Sequence, residues 1–231
     1  MAEKIFKTLI GLLLVPIAVG AAKAFYSSVS GISVFSGVLN LLERGVLVYL
    51  IFHVFFFRPV YLYVLGHECV HVLATWLCGG RVVSFNVTPS GGNVVTSKTN
   101  FFIELSPYFV PFYTILLGVI YLVLRTIDQS IPHMSLVFIF LIGVTLTFHF
   151  VMTAEALKLQ QPDIMKSGLL FSLVIIFVFN LVVVMAVFSP IFSGLSFTSF
   201  IRMSWLNSIE LYKDVYGKIV EAVNSIRMQY S

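Results

Sequence analysis

Two histidines and a glutamate stand at a spacing that suits metal chemistry. His67, Glu68 and His71 form the pattern H-E-x-x-H. In a helix, His67 and His71 lie about 40° apart on one face and about 6 Å apart along the axis, so their imidazoles can converge on one metal ion. Glu68 is one step around the helix from His67, where it can reach a water at the metal without being a ligand.

Zinc is the metal that this pattern favours. It accepts imidazole nitrogen, keeps an open position for water and lowers the pKa of that water to about 7. Glu68 would then act as the general base towards the zinc-bound water and return the proton to a leaving amine. Cys69 points to the other side of the predicted helix, and we expect it to pack rather than to bind metal.

The composition of the chain indicates a membrane protein. Of its 231 residues, 59% are hydrophobic and only 10% are charged, whereas soluble domains carry about 25% charged residues. A soluble enzyme, a disordered chain and a disulfide-stapled secreted module are thereby excluded. An ionisable side chain at bilayer depth costs several kcal/mol unless it is paired, bound to metal or facing water, so packing alone does not explain H-E-x-x-H. The basic residues are scattered, and no nucleic acid is expected as a partner.

The apolar stretches predict an all-α polytopic membrane protein with about six hydrophobic helices, each needing about 20 residues to span. The first also resembles a signal peptide, and we expect a retained helix. Glu43 and Arg44 interrupt the second, so its apolar core is expected to be short. The predicted segments are 5–22, 45–57, 60–77, 101–124, 134–154 and 168–190.

Two segments break this helical pattern. Gly79 and Gly80 are typical of a helix end, and the β-branched runs 82–87 and 93–97 around a Gly-Gly turn predict a β-hairpin. A polar break follows at 158–166. Irregular backbone at membrane depth is tolerated only where protein or a water-filled cavity surrounds it, so both segments are expected to point towards a site.

The C-terminal segment differs in its periodicity. From Trp205 to Tyr230, apolar residues recur at alternating steps of four and three, which predicts an amphipathic helix. We interpret it as a helix that lies on the membrane interface or on its own protein. The alternative is a docking surface at 205–230 for a membrane or regulatory partner.

These features in this order resemble the site-2 protease family, intramembrane zinc metalloproteases that cut within or next to transmembrane segments of their substrates. The resemblance covers about residues 66–168. Residues 66–71 resemble the family's G-H-E-x-x-H helix, and residues 87–92 resemble the hairpin that follows it. Ser106-Pro107 stands where the family has a small residue and proline, and Pro162-Asp163 resembles the motif that supplies the third zinc ligand.

The resemblance implies a cofactor and its ligands. Zn²⁺ would be bound by His67, His71 and Asp163, with Glu68 as the catalytic base. A carboxylate completes a two-histidine catalytic zinc site well. The other candidates for the third ligand are His149, Glu155 and Glu104.

The chain departs from the family pattern around this aspartate. In the family a glycine commonly follows the aspartate and an asparagine precedes it, but here Ile164 follows Asp163 and no asparagine lies between residues 100 and 180. His149 is the nearest polar candidate for the transition-state-stabilising role of that asparagine. The two remaining histidines, interpreted as structural, are His53 and His133.

The hairpin offers a means of substrate selection. A transmembrane substrate must be unwound before water can attack its amide, and an exposed strand edge can pair with the extended segment. Gly91, Gly92 and Asn93 are therefore the predicted substrate-binding residues. A hairpin that only closes the cavity is the alternative.

The sequence thus predicts an intramembrane zinc metalloendopeptidase that hydrolyses peptide bonds in or near transmembrane segments of membrane-protein substrates. Residues 1–195 would form the membrane-embedded metalloprotease-like domain and 196–231 the C-terminal amphipathic helix. Two other functions stay open: a catalytically inactive site-2-protease-like subunit of a membrane complex, and an ion or metal transporter. Transporters usually contain internal repeats with paired broken helices, and the sequence has no evident repeat.

Overall fold

The computed structural model describes residues 2–32, 36–89, 91–132, 135–158 and 162–229, with side chains from Ile5 to Met228 within these ranges. His133, Ser90 and Tyr230 lie outside the described residues. Helices α1 to α9 cover Ala2–Val29, Gly37–Phe55, Val60–Leu77, Phe101–Leu105, Phe112–Ile127, Leu136–Leu157, Pro162–Ser167, Leu169–Phe188 and Phe197–Gln229. Strands β1 and β2 cover Val82–Thr88 and Gly91–Thr96, and a 3-10 turn covers Ser106–Tyr108.

Within the described residues, five helices are long and apolar enough to cross a membrane: α1, α2, α3, α6 and α8. A sixth span results if Phe101–Tyr108 and Phe112–Ile127, bent by 78°, are counted together. This agrees with the predicted number of about six. The prediction of a single helix over 101–124 is wrong, because α4 ends at Leu105 and α5 begins at Phe112. Pro107 and Pro111 cannot donate the backbone hydrogen bonds that a continuous helix needs.

Helix α2 is longer than the sequence suggested. It begins at Gly37, where the Ser36 hydroxyl accepts a 3.0 Å hydrogen bond from the Leu39 amide, and Glu43 and Arg44 lie inside it, both exposed. Glutamate and arginine are good helix formers, so their charges do not interrupt the backbone. The predicted interruption at Glu43 and Arg44 was therefore wrong, and Gly37–Phe55 is continuous and apolar enough to count as one span.

Helices α2 and α6 pack through two glycines. A Cβ added to Gly45 would meet the backbone of α6, 3.0 Å from the Val144 nitrogen and 3.1 Å from the Gly143 Cα. A Cβ added to Gly143 would lie 3.2 Å from the Gly45 Cα and from the Leu42 carbonyl carbon. Small residues permit this close approach of helix backbones, which stabilises membrane helix pairs by van der Waals contact.

We expect Gly143→Leu to destabilise the protein by about 3 kcal/mol or more, because the new side chain meets backbone atoms that cannot rotate away. Thermal unfolding in detergent micelles measures the change. Gly118→Leu is the matched control, since a Cβ at Gly118 has no heavy atom within 4 Å. Equal stability of the two variants would contradict the close packing of α2 and α6.

The hairpin prediction is confirmed, with a correction to its turn. Strands β1 and β2 are antiparallel, and Thr88 pairs with Gly91 while Val87 pairs with Gly92. Both glycines therefore belong to β2, and the predicted Gly-Gly turn is wrong, since β1 already ends at Thr88 and Pro89 follows it. Pro89 accounts for the difference because its fixed φ suits a turn and it cannot donate to a strand ladder.

The chain divides into two compact units, residues 33–172 and residues 1–32 with 173–231. In the second of these, α1 pairs with α9, and the Asn207 side-chain amide donates to the Gly20 carbonyl over 3.3 Å. Helix α9 begins at Phe197, eight residues before the predicted periodic segment. The predicted division into 1–195 and 196–231 stays a prediction.

Candidate metal centre

The predicted H-E-x-x-H helix is present as α3, within the unit 33–172. The helix ends where Gly79 adopts a φ of 67°, a conformation that glycine reaches without steric cost. Val70 and Ala74, four residues apart on one face of the helix, are buried. The Tyr113 hydroxyl donates a 2.6 Å hydrogen bond to the Leu62 carbonyl and so attaches α5 to the same helix.

A backbone carbonyl sets the orientation of the His71 ring. Nδ1 of His71 lies 2.8 Å from the Ile103 oxygen, and because a carbonyl can only accept, Nδ1 carries the proton. Nε2 of His71 lies 3.6 Å from Oδ2 of Asp163. The hydrogen bond from Nδ1 to the Ile103 carbonyl orients the ring and fixes the proton on Nδ1. Metal-binding histidines typically make such a bond through the ring nitrogen that does not bind the metal.

Asp163 in α7 completes a group of three ligand atoms. One nitrogen from His67, one from His71 and one carboxylate oxygen of Asp163 all lie within 4.8 Å of one another. Ligands bound to tetrahedral zinc at about 2 Å lie about 3.3 Å apart, close to the 3.6 Å between His71 Nε2 and Asp163 Oδ2. That separation is too long for a hydrogen bond. Two imidazoles and a carboxylate are also a donor set that zinc accepts.

The surroundings of Asp163 keep it ionised. Burial raises the pKa of its carboxyl group, but the neighbouring His71, His67 and Lys166 outweigh burial and hold the pKa below its ordinary value. A carboxylate must be deprotonated to bind a metal ion. Asp163 is therefore in the ligand form at neutral pH.

Two tyrosines that sequence reasoning missed surround His67. The ring centroids of Tyr63 and Tyr108 lie 5.7 Å and 5.1 Å from that of His67. Nδ1 of His67 is buried and has no hydrogen-bond partner in the described part of the chain, which is unfavourable unless a ligand or water binds it. Tyr63 could have been found from its position four residues before His67, on the same helical face. No local signal marked Tyr108.

A cavity of about 820 Å³ opens beside His67, His71 and Asp163, and Glu68 lines it. All six residues of β2, Gly91–Thr96, also line this cavity. Successive side chains of a strand point to opposite faces, so a strand that borders a cavity with six consecutive residues presents its edge. Within the described residues β2 pairs with β1 alone.

The glycine at position 92 allows β2 to approach the predicted base. A Cβ on Gly92 would lie 2.7 Å from Oε1 and 2.8 Å from the carboxyl carbon of Glu68. Glu68 itself is only 7% exposed. The predicted substrate-binding residues Gly91, Gly92 and Asn93 thus line the cavity at the same place as Glu68.

The other candidates for a third ligand have different partners. Oε1 of Glu155 lies 3.3 Å from an Arg58 nitrogen and 3.4 Å from Nε2 of His53. Glu104 accepts hydrogen bonds from two hydroxyl groups. Neither carboxylate belongs to the group of metal-ligating atoms found among the described residues.

His149, the predicted transition-state stabiliser, is buried in α6. It does not line the large cavity. Together with His67 it lines a smaller cavity of about 20 Å³ in the described structure. Its predicted role stays a prediction.

Comparisons of the chain with protein-family models, with curated proteins and with solved structures found no match.

Proposed function

We propose that this protein is an integral membrane zinc endopeptidase that hydrolyses peptide bonds in or near transmembrane segments of other membrane proteins. The observation that carries the proposal is the convergence of His67, His71 and Asp163 beside Glu68, in a cavity bordered by a strand edge. The apolar helices support a location in the lipid bilayer. The order of motifs that resembles site-2 proteases supports the reaction type.

His67, His71 and Asp163 would hold the zinc ion. When bound, zinc supplies a Lewis acid that acidifies water and polarises a carbonyl group. Glu68 accepts a proton from the attacking water and passes it to the amide nitrogen as the C–N bond breaks. The second proton of the water also ends on the leaving nitrogen, so the products are a carboxylate and an ammonium group, and Glu68 returns to its ionised form.

Strand β2 offers the substrate a place to bind. An extended peptide can pair with the unpaired backbone groups of an exposed strand edge, and the edge of β2 borders the cavity from Gly91 to Thr96. Because Gly92 lies against Glu68, a peptide paired with β2 passes close to the base. The apolar helices of a substrate would need to unwind locally to reach this geometry.

The test is cleavage of a tagged transmembrane substrate by the purified protein in proteoliposomes. We expect about one zinc per chain, loss of cleavage with a chelator such as 1,10-phenanthroline, and recovery when Zn²⁺ is returned. Bound zinc without cleavage of any of a panel of transmembrane substrates would favour a structural subunit. Metal flux across the same vesicles would favour a transporter.

We expect Gly92→Ala to reduce hydrolysis by roughly 10²-fold with zinc still bound. The added methyl group overlaps the Glu68 carboxylate, and displacing a catalytic group by about 1 Å costs about this much. Cleavage assays with parallel zinc analysis measure both properties. Gly118→Ala adds the same methyl group in open space and is expected to leave hydrolysis unchanged. Full activity of Gly92→Ala would contradict the assigned position of the base.

A further inference from the structure

The carboxylate of Glu104 joins two segments near the metal centre. Its Oε1 accepts a 3.0 Å hydrogen bond from the Thr99 hydroxyl, and its Oε2 accepts one from the Ser167 hydroxyl. Ser167 is 1% exposed and is the last residue of α7, four residues after Asp163. A residue of α4 thus holds the helix that carries the third ligand.

Ile103, the residue before Glu104, forms a hydrogen bond with His71, the ligand from α3. The Ile103 carbonyl accepts the hydrogen bond from His71 Nδ1. Helix α4 itself is capped by Asn100, whose side-chain oxygen accepts a 2.8 Å hydrogen bond from the Ile103 amide. Two consecutive residues of one short helix therefore contact a ligand from α3 and the helix that carries the ligand from α7.

Helix α7 depends on such contacts for its position. It has six residues, and a helix of that length is not stable by itself in water. Besides the bond from Ser167 to Glu104, the Ser172 hydroxyl donates to the Ile164 carbonyl over 3.2 Å. These side-chain hydrogen bonds, together with the buried Ile164 side chain, position α7, which carries Asp163.

We propose that Glu104 is a positioning residue that sets the place of Asp163 at the metal centre by binding Ser167, and that it is not itself a ligand. This inference rests on the metal site of the proposed function. Both oxygens of Glu104 already accept hydrogen bonds from hydroxyl groups, whereas Oδ2 of Asp163 faces Nε2 of His71. Outer partners of this kind typically change metal affinity by about 10–100-fold when they are removed.

The test measures zinc affinity and the absorption spectrum of the Co²⁺-substituted protein in detergent, without any protease assay. Glu104→Ala and Ser167→Ala are each expected to weaken zinc binding by about 10–100-fold. The double variant is expected to bind no more weakly than the worse single variant, because both changes break the same contact. The Co²⁺ spectrum should keep the intensity of four-coordinate metal in all three variants.

Glu155→Ala is the matched control. Glu155 also lines the large cavity, but it pairs with Arg58 and His53, so its removal should leave zinc affinity unchanged. Circular dichroism and thermal unfolding of the metal-free proteins check that each variant folds. If Glu104→Ala does not fold, Ser167→Ala decides the question, because it removes the same hydrogen bond and is close in size to the native side chain.

The possible outcomes separate this inference from the proposed function. A wild-type protein that binds no zinc would overturn the metal site and the inference with it. Zinc binding in the wild type with unchanged affinity in Ser167→Ala would overturn the positioning role alone. A changed Co²⁺ coordination in Glu104→Ala, with Ser167→Ala normal, would make Glu104 a direct ligand and overturn the proposal.

Discussion

Glu68→Gln is expected to abolish measurable peptide-bond hydrolysis while zinc stays bound. Glutamine has nearly the same size and shape as glutamate, but its amide cannot accept a proton from water. General base catalysis contributes about 10²–10⁴-fold to rate, and the loss should be at least of this size. Zinc should remain because Glu68 does not belong to the group of His67, His71 and Asp163.

Single-turnover cleavage of a tagged transmembrane substrate, with zinc analysis of the same preparation, measures this result. Glu155→Gln is the control, since it makes the same chemical change at another cavity-lining carboxylate and should keep activity within a few-fold. Normal hydrolysis by Glu68→Gln would remove Glu68 from the reaction. Loss of zinc from that variant would instead assign Glu68 a ligand role.

The second large effect is expected from Asp163→Ala, which should lose stoichiometric zinc and with it all hydrolysis. Two imidazoles would remain, whereas catalytic zinc sites have three protein ligands. The loss of affinity should exceed the roughly 100-fold that removal of an outer partner can cause. Metal analysis after dialysis against a weak chelator measures it.

Asp128→Ala serves as the control for this change. Asp128 is an exposed aspartate whose carboxylate accepts a hydrogen bond from the Ser130 amide, and its removal should leave zinc content intact. Full zinc occupancy in Asp163→Ala would show that another group completes the site. In that case the placement of α7 by Glu104 would have no bearing on metal binding.

Local patterns in the sequence were sufficient to predict the H-E-x-x-H helix and the hairpin. Helix α3 was expected over 60–77 and has those bounds, because Pro59 and Gly79 limit it from both sides through backbone geometry. Apolar and polar residues alternate from Val83 to Thr88 in β1, and this period of two, with the short β-branched run of β2, distinguishes the hairpin from the neighbouring helices. These are short-range properties, and a single sequence contains them.

The bend after Phe101 and the length of α2 were predicted less well. Prolines at 107 and 111 were visible, but hydropathy alone treats 101–124 as one apolar stretch. Glu43 and Arg44 were taken as interruptions, although they lie on an exposed side of α2 while Leu42 and Gly45 are buried. Which side of a helix is buried depends on its neighbours, so composition could not decide it.

The residue types and spacing on α3 therefore determined by themselves that a metal site was plausible, since an i, i+4 pair of histidines shares one helical face. Only the tertiary structure decided which carboxylate stands beside that pair. Asp163 lies beside His71, with Oδ2 facing Nε2. Glu155 instead forms an ion pair with Arg58, and Glu104 accepts hydrogen bonds from two hydroxyl groups. The physical reason is sequence distance: 92 residues separate His71 from Asp163, and no local pattern specifies how a six-residue helix is held against α3 and α4.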